Sequence, residues 1–200
     1  RLDTLGVWHA AALVSCESAL WIVDSLGVVR YEPASGAHRR VIERPRDTAA
    51  VPMSMLCDAD GRMWLGLLGG GIDVHGRDGR LLRSFPPEQV YGSRAVTFVD
   101  PMLGPDGDVW TLALDAVLRW DGTRLQRLPL AEGEDAHAMA FAPDGTLWVA
   151  RFGALERYRR DGNVLRRLRR IDGDDGLPAL EVRGLIVSGD GLVWATTMRG

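Results

Sequence analysis

The chain has 200 residues, of which 46% are hydrophobic and 26% are charged, and these values are ordinary for a globular protein with its own core. Its formal net charge is −3, because 24 basic residues, all of them arginine, face 27 acidic ones. This balance argues against a general affinity for nucleic acid or an anionic membrane, and no run of about 18 apolar residues predicts a membrane span.

The predicted elements repeat along the chain. Residues 9–43 contain a short strand ending in SALW (18–21), a second strand GVVRY (27–31), the turn EPASG and a further strand. Residues 51–85, 96–129 and 136–171 repeat this order, each with an Asp-Gly turn before the tryptophan and then GIDVH, AVLRW or ALERY. Residues 181–200 stop soon after the tryptophan strand. The anchoring tryptophans are Trp21, Trp64, Trp110, Trp148 and Trp194, spaced by 43, 46, 38 and 46 residues.

This repeat predicts the fold. Asp-Gly supplies the positive φ that tight hairpin turns need, and the alternating apolar residues suit half-buried strands. A period near 43 residues with four strands in each copy is typical of β-propeller blades. We therefore predict a single all-β domain, a β-propeller of four-stranded antiparallel blades. The five tryptophans are predicted to anchor its core.

About four and a half blades fit in the chain, which leaves the edge of a propeller ring open. Three explanations stand: the native ring continues beyond Gly200, two chains complete one another, or residues 1–8 help to close a small ring. The first is favoured, because the sequence stops inside a blade, and the chain is then a fragment of a larger ring. Two cysteines, Cys16 and Cys57, have no metal-type spacing, and reduced, buried thiols are favoured over a disulfide.

The sequence of the blades resembles the two-component regulator propeller repeat, as in DADGRMWLGLLGGGIDVH, GPDGDVWTLALDAVLRW and PDGTLWVARFGALERY. The resemblance implies a periplasmic sensor region of a bacterial hybrid histidine kinase or diguanylate cyclase. The alternative is a propeller enzyme of the streptogramin lyase or gluconolactonase type, whose blades the segment ALWIVDSLGVVRYEPASG resembles. The gluconolactonase group uses a metal held by carboxylates and an asparagine, whereas this chain has a single asparagine, Asn163, in a predicted turn.

Candidate site residues come from the first strand of each blade, which lines the central channel of a propeller. The position eleven residues before each tryptophan holds Ala10, Met53, Val99, His137 and Arg183, and the next position includes Asp100. Polar residues there would point into a pocket at the channel mouth. Asp100, His137 and Arg183 are therefore the candidate ligand-binding residues, with water-bound or purely structural roles as the favoured alternative.

Other suggestive features have structural explanations. His75 occupies the aromatic position of its repeat, and the Gly-rich segment 66–73 suits a hairpin turn because no helix follows it. The segment DGDDG (172–176) lacks the spacing of a calcium loop and is expected to be a solvated connector. Seven arginines between residues 157 and 170 favour a charged outer edge with local ion pairs over a nucleic-acid site.

The sequence thus predicts no catalytic residues, no metal site and no cofactor. The expected partners are an unidentified small molecule or carbohydrate and a second copy of the chain, bound through the sides or the open edge of the propeller. No nucleic acid is expected, and membrane attachment is expected only through segments outside this chain. The resemblance implies a periplasmic location.

Overall fold

The computed structural model describes residues 10–44, 50–91, 100–177 and 182–197, apart from the side chains of Tyr91 and Arg183. Contacts divide the chain into two compact units, residues 1–102 and 103–200. Within the described residues no helix is long and apolar enough to cross a membrane.

The first unit contains two four-stranded antiparallel sheets, each with its strands in chain order. A short helix, α1 (Pro87–Tyr91), which the sequence pattern did not predict, follows the second sheet. The first sheet consists of β1 (Ala12–Cys16), β2 (Ala19–Asp24), β3 (Gly27–Tyr31) and β4 (His38–Glu43), and the second of β5 (Val51–Cys57), β6 (Met63–Leu68), β7 (Gly71–His75) and β8 (Leu81–Phe85).

From residue 102 onward the same architecture returns twice and is followed by a two-stranded sheet. A single turn of 3₁₀ helix (Gly173–Asp175) follows the fourth sheet. The third sheet consists of β9 (Met102–Leu103), β10 (Val109–Leu112), β11 (Ala116–Trp120) and β12 (Leu125–Pro129), the fourth of β13 (Ala136–Phe141), β14 (Leu147–Arg151), β15 (Ala154–Asp161) and β16 (Val164–Asp172), and the fifth of β17 (Val182–Val187) and β18 (Val193–Thr197).

These sheets are the blades of a β-propeller, as predicted from the repeat, and we number them in chain order. Within each unit the first strands of consecutive blades pack together, β1 against β5 and β13 against β17. The loop after the first strand is the same in blades 2 to 5, with a glycine at positive φ three residues before the tryptophan. These glycines are Gly61, Gly107, Gly145 and Gly191, with φ between 72° and 86°.

Four of the five anchoring tryptophans are buried. Trp21 packs in one cluster with Met55 and Leu65 of blade 2, and Trp148 packs in another with residues of β17. Trp21 and Trp148 therefore each lie on the face of their blade that packs against the next blade. Trp194 is 60% exposed, because no sheet among the described residues covers that face of blade 5.

The sequence-based preference for two reduced thiols at Cys16 and Cys57 is wrong. Cys16 is the last residue of β1 and Cys57 the last of β5, and the two form a disulfide with their Cα atoms 5.8 Å apart. The packing of β1 against β5 brings together cysteines that lie 41 residues apart in sequence. Sequence spacing alone could not reveal this proximity, because it depends on how consecutive blades align.

The arginine-rich edge of blade 4 forms local ion pairs, as expected. Arg157 pairs with Asp144, and Arg160 pairs with Asp106. Arg167 and Arg170 differ, because both reach inward to the buried carboxylate of Glu156. The segment DGDDG forms the 3₁₀ turn, in which the Asp172 side chain accepts a hydrogen bond from the Asp174 backbone N–H.

Candidate functional site

The three residues predicted for the channel mouth lie in different structural settings. His137 is an exposed residue of β13, and Arg183 lies in β17, although its side chain is outside the described residues. Asp100 is exposed and immediately follows residues 92–99, which the structure does not describe. Asp100 belongs to the first unit and the other two residues belong to the second, so their grouping in one pocket stays a prediction.

The structure adds one feature to this predicted position. The strand pairing shifts by one residue between Pro52 and Ser54, between Ala136 and Ala138, and between Val182 and Gly184. The residue skipped in each case is the one found by counting back eleven from the tryptophan. A β-bulge leaves its extra residue unpaired and can re-aim that side chain. Met53, His137 and Arg183 therefore share a backbone irregularity as well as a place in the repeat.

A cavity of about 530 Å³ lies in the first unit, between the last strand of blade 1 and the face of blade 2 that is turned toward it. Its apolar wall includes Ile42, Leu65 and Leu67. We call this recess the blade 1–2 cavity. Polar and charged side chains complete its lining, namely those of Glu43, Arg44, Asp73, His75 and Ser84.

The alternation of β7 places two polar residues on the cavity side. In GIDVH, Asp73 pairs with Leu65 and His75 pairs with Met63, and both apolar partners belong to the core cluster shared with blade 1. Because residues paired across antiparallel strands share a face of the sheet, Asp73 and His75 lie on the same side as that cluster. Ser84 of β8 pairs with Asp73 and extends the polar wall outward.

The His75 ring is fixed by one hydrogen bond. Its Nδ1 lies 3.0 Å from the carbonyl oxygen of Gly79, in the turn between β7 and β8. Gly79 has a φ of 86°, and a Cβ there would lie 1.9 Å from the carbonyl oxygen of Val41 in β4. Only glycine therefore allows this turn to approach blade 1 so closely, and the approach holds the histidine beside the cavity.

At the blade 1–2 cavity, Asp73 and His75 carry polar groups that have no partner within the described part of the chain. His75 is only 7% exposed, yet its Nε2 makes no hydrogen bond there. Asp73 is half-buried, and its carboxylate makes neither a hydrogen bond nor an ion pair with any described residue. Buried polar groups in folded proteins usually have partners, so these two make the cavity the candidate binding site of the first unit.

Sequence reasoning missed this site, although one signal was present. The third position of the second strand holds Val29, Asp73, Leu118 and Glu156 in the four complete blades. An acidic residue at a position that is otherwise apolar predicts a specific partner for that residue. The repeat predicts a structural role for His75 at its aromatic position, and that interpretation does not place the residue in a binding site.

A smaller cavity of about 280 Å³ in the second unit differs in its polar groups. It is lined by Trp148, by Asp144 and Arg157, and by the turn around Asp190. Asp144 and Arg157 form an ion pair, and hydrogen bonds from Thr146 lower the pKa of Asp144. Its polar groups are therefore already satisfied. Among the described residues no group of three or more His, Cys, Asp or Glu side chains is placed to hold a metal ion.

Comparison with known proteins shows similarity in fold. No family model and no curated protein sequence matches the chain. Among solved structures, the extracellular domain of a hybrid two-component system protein from B. thetaiotaomicron superposes with a TM-score of 0.72 and 15% identity, over 93% of this chain and 26% of that one. Its similarity agrees with the resemblance carried by the blade motifs.

Two enzymes share the architecture as well. Virginiamycin B lyase from Staphylococcus aureus matches with a TM-score of 0.69 and 17% identity, over 94% of this chain and 62% of the lyase. A gluconolactonase from Xanthomonas campestris matches with a TM-score of 0.58 and 21% identity, over 90% of this chain and 66% of that enzyme. The chain thus spans less than two thirds of the length of each of these three proteins. At such identities the matches show the propeller fold alone.

Proposed function

We propose that this chain is a non-enzymatic, ligand-binding propeller of a bacterial signal-transduction protein, and that it acts outside the cytoplasmic membrane. The observation that carries the proposal is the blade 1–2 cavity, where polar groups of Asp73 and His75 have no partner among the residues that the structure describes. Its volume of about 530 Å³ lies within the range of about 300–1,000 Å³ in which proteins bind small molecules.

Two further observations support the signalling role and its compartment. The blade motifs resemble two-component regulator propellers, and the fold is similar to the extracellular domain of a hybrid two-component system protein. The disulfide between Cys16 and Cys57 supports an oxidising environment, since disulfides persist mainly outside the cytoplasm. Both observations favour a periplasmic sensor over an intracellular protein.

Binding without turnover is the experimental signature of this function. The purified chain is screened by ¹⁵N NMR against a library of small molecules and sugars, and separately incubated with glucono-δ-lactone and virginiamycin B in the presence of Ca²⁺, Mg²⁺ or Mn²⁺. We expect at least one compound to shift resonances of residues that line the blade 1–2 cavity, and neither substrate to be consumed.

Three variants make the assay specific. Asp73→Asn and His75→Phe alter the cavity, and Asp161→Asn makes the same charge change as the first variant on an exposed residue of the other unit. Turnover of either substrate that needs a metal would favour the enzyme alternative. A library that produces no shifts in residues 41–87 would remove the support for ligand binding.

A further inference from the structure

The chemistry of the ligand can be inferred by comparing blade 2 with blade 4, and this inference rests on the proposed function. Asp73 pairs with Leu65, and Glu156 pairs with Val149. Both of these partners directly follow the anchoring tryptophan of their blade. The two carboxylates therefore occupy the same place in the repeat and the same face of their sheets.

In blade 4 this carboxylate is fully neutralised. Glu156 is completely buried, accepts a hydrogen bond from the Tyr158 hydroxyl and pairs with three arginines. Arg151 Nε lies 2.8 Å from one carboxylate oxygen, while Arg167 and Arg170 bind the other. Blade 4 thus shows that a carboxylate at this position is complemented by guanidinium groups.

In blade 2 the same positions carry no arginine. Strand pairing makes Leu67 the counterpart of Arg151, since Leu67 pairs with Gly71 and Arg151 pairs with Ala154. By the same criterion Leu81 replaces Arg167, and Ser84 replaces Arg170. All three replacements line the blade 1–2 cavity. The carboxylate is retained, whereas none of the described residues supplies it with a counter-charge, and the cavity lies where the three arginines stand in blade 4.

The polar groups of Asp73 and His75 that lack partners among the described residues accept hydrogen bonds. A carbonyl oxygen can only accept, so the bond to Gly79 requires the proton on Nδ1 of His75, and Nε2 of the neutral ring carries a lone pair. The carboxylate of Asp73 is likewise an acceptor. An organic ligand that forms hydrogen bonds with both groups therefore supplies an N–H or O–H donor to each of them.

The charge at the cavity also favours a ligand that is a cation. Among the described residues its lining contains two carboxylates, Asp73 and Glu43, and one guanidinium, that of Arg44, so carboxylates outnumber guanidinium groups. Arg44 Nη1 donates to the carbonyl oxygen of Ser25. Bidentate pairs between guanidinium and carboxylate groups are among the strongest hydrogen-bonded pairs in proteins.

We infer that the blade 1–2 cavity binds a small organic cation with a guanidinium head. The head donates to the carboxylate of Asp73 and to Nε2 of His75, as the three arginines do to Glu156 in blade 4. An aliphatic stem on the ligand lies against Leu65, Leu67 and Leu81, which are among the apolar residues that line the cavity. The ligand thus replaces, from solution, the arginine side chains that blade 4 provides itself.

The test uses methylguanidinium and methylurea, which have similar shapes but differ in charge. Isothermal titration with the whole chain is expected to show methylguanidinium binding about tenfold or more tightly than methylurea, because hydrogen bonds to an ionised partner are stronger. Asp73→Asn should weaken methylguanidinium binding about tenfold or more, while Asp161→Asn leaves it unchanged. Equal affinity for the two probes, or unchanged affinity in Asp73→Asn, would overturn the inference.

A second variant guards against misfolding of the first. Ser84 is exposed, so Ser84→Arg should fold, and it places an internal guanidinium opposite Asp73, as Arg170 stands opposite Glu156. We expect this variant to lose methylguanidinium binding and to melt at a higher temperature than the parent chain. Retention of full binding by Ser84→Arg would contradict the inferred site.

The same experiments separate this inference from the proposed function. If a neutral compound from the NMR library binds the cavity while methylguanidinium does not, the ligand class inferred here is wrong and the ligand-binding function stands. If nothing binds the cavity, both fail.

Discussion

At the scale of single residues, the chain uses one repeat position in two opposite ways. Burial by itself raises the pKa of Glu156, but hydrogen bonds from Tyr158 and the charges of Arg151 and Arg167 outweigh this effect and lower the pKa. Arg151 also donates to the backbone carbonyl oxygens of Ala131 and Glu134, which ties the connection before β13 to blade 4. Glu156 is therefore a structural centre, whereas the carboxylate of Asp73 makes no hydrogen bond or ion pair with a described residue.

Replacing Glu156 by glutamine should strongly destabilise the protein. The substitution leaves Arg151, which is 1% exposed in its side chain, buried without a counter-charge. Removing one partner of a buried ion pair typically costs about 3–5 kcal/mol. Urea unfolding at pH 7 should show a loss of this size in Glu156→Gln. Asp161→Asn on the exposed end of the same strand serves as the control and should change stability by less than about 0.5 kcal/mol.

The effect of Glu156 should also depend on pH. A carboxyl group whose pKa is lowered by folding stabilises the native state above its ordinary pKa of 4.5, and this stabilisation is lost as the pH falls through the lowered value. The stability difference between the parent chain and Glu156→Gln should therefore be constant near neutral pH and shrink in acid. Unfolding curves measured from pH 7 downward check this, and a difference that grows in acid would contradict it.

At the scale of strands and blades, the burial of a tryptophan depends on whether another sheet covers the face on which it lies. Trp148 pairs with Ala140, and Trp194 pairs with Ile186, so in each case the tryptophan and its cross-strand neighbour share a face. In blade 4 this face is covered by Val182 and Leu185 of β17, whereas in blade 5 Ile186 remains 66% exposed. Identical sequence motifs thus make unequal contributions to the core.

Substitution of these tryptophans should reveal that inequality. Trp148→Ala removes a side chain that is 9% exposed and should cost about 3–5 kcal/mol, the usual range for a core tryptophan. Trp194→Ala removes one that is 60% exposed and should cost less than about 1 kcal/mol. Chemical unfolding of both variants measures the contrast. Equal losses would show that the Trp194 face is covered in solution.

The disulfide joins the last residues of β1 and β5 and should stabilise the packing of blades 1 and 2. Closing a loop of this length restricts the unfolded chain and typically contributes about 2–4 kcal/mol. Reduction, or the double change Cys16→Ser and Cys57→Ser, should lower the free energy of unfolding by that amount. Thiol labelling under denaturing conditions, before and after reduction, verifies the starting state. Two reactive thiols in the untreated protein would show that the disulfide is absent.

At the scale of the whole molecule, the fold could be predicted and the blade 1–2 cavity could not. Tryptophan spacing and Asp-Gly turns recur within each blade, so the strands of a blade can be predicted without knowing how neighbouring blades pack. The correspondence of Ser84 with Arg170 depends on strand pairings that shift by one residue, between Val74 and His75 in blade 2 and between Arg157 and Tyr158 in blade 4. Sequence alone does not reveal such shifts. The pairing of Cys16 with Cys57 likewise depends on how neighbouring blades align.

The charge of the whole chain leads to a last prediction, that it does not bind nucleic acid appreciably at physiological salt. Of the seven arginines between residues 157 and 170, four form ion pairs with Asp144, Asp106 or Glu156. The other three, Arg159, Arg166 and Arg169, make no ion pair with described residues, and the net charge of the chain is −3.

Non-specific binding to nucleic acid depends on the number of phosphates neutralised, and its dissociation constant is typically about 10⁻⁴–10⁻⁶ M. Fluorescence anisotropy of a labelled 20-base-pair duplex at 150 mM salt should therefore show a dissociation constant weaker than about 10⁻⁴ M, outside that range. A variant with Arg159, Arg166 and Arg169 changed to glutamine should behave as the parent chain does. Micromolar binding by the parent chain that is lost in this variant would show that the arginine-rich edge binds polyanions. Arginines that are not paired with a carboxylate of the protein can neutralise phosphates without first breaking an ion pair.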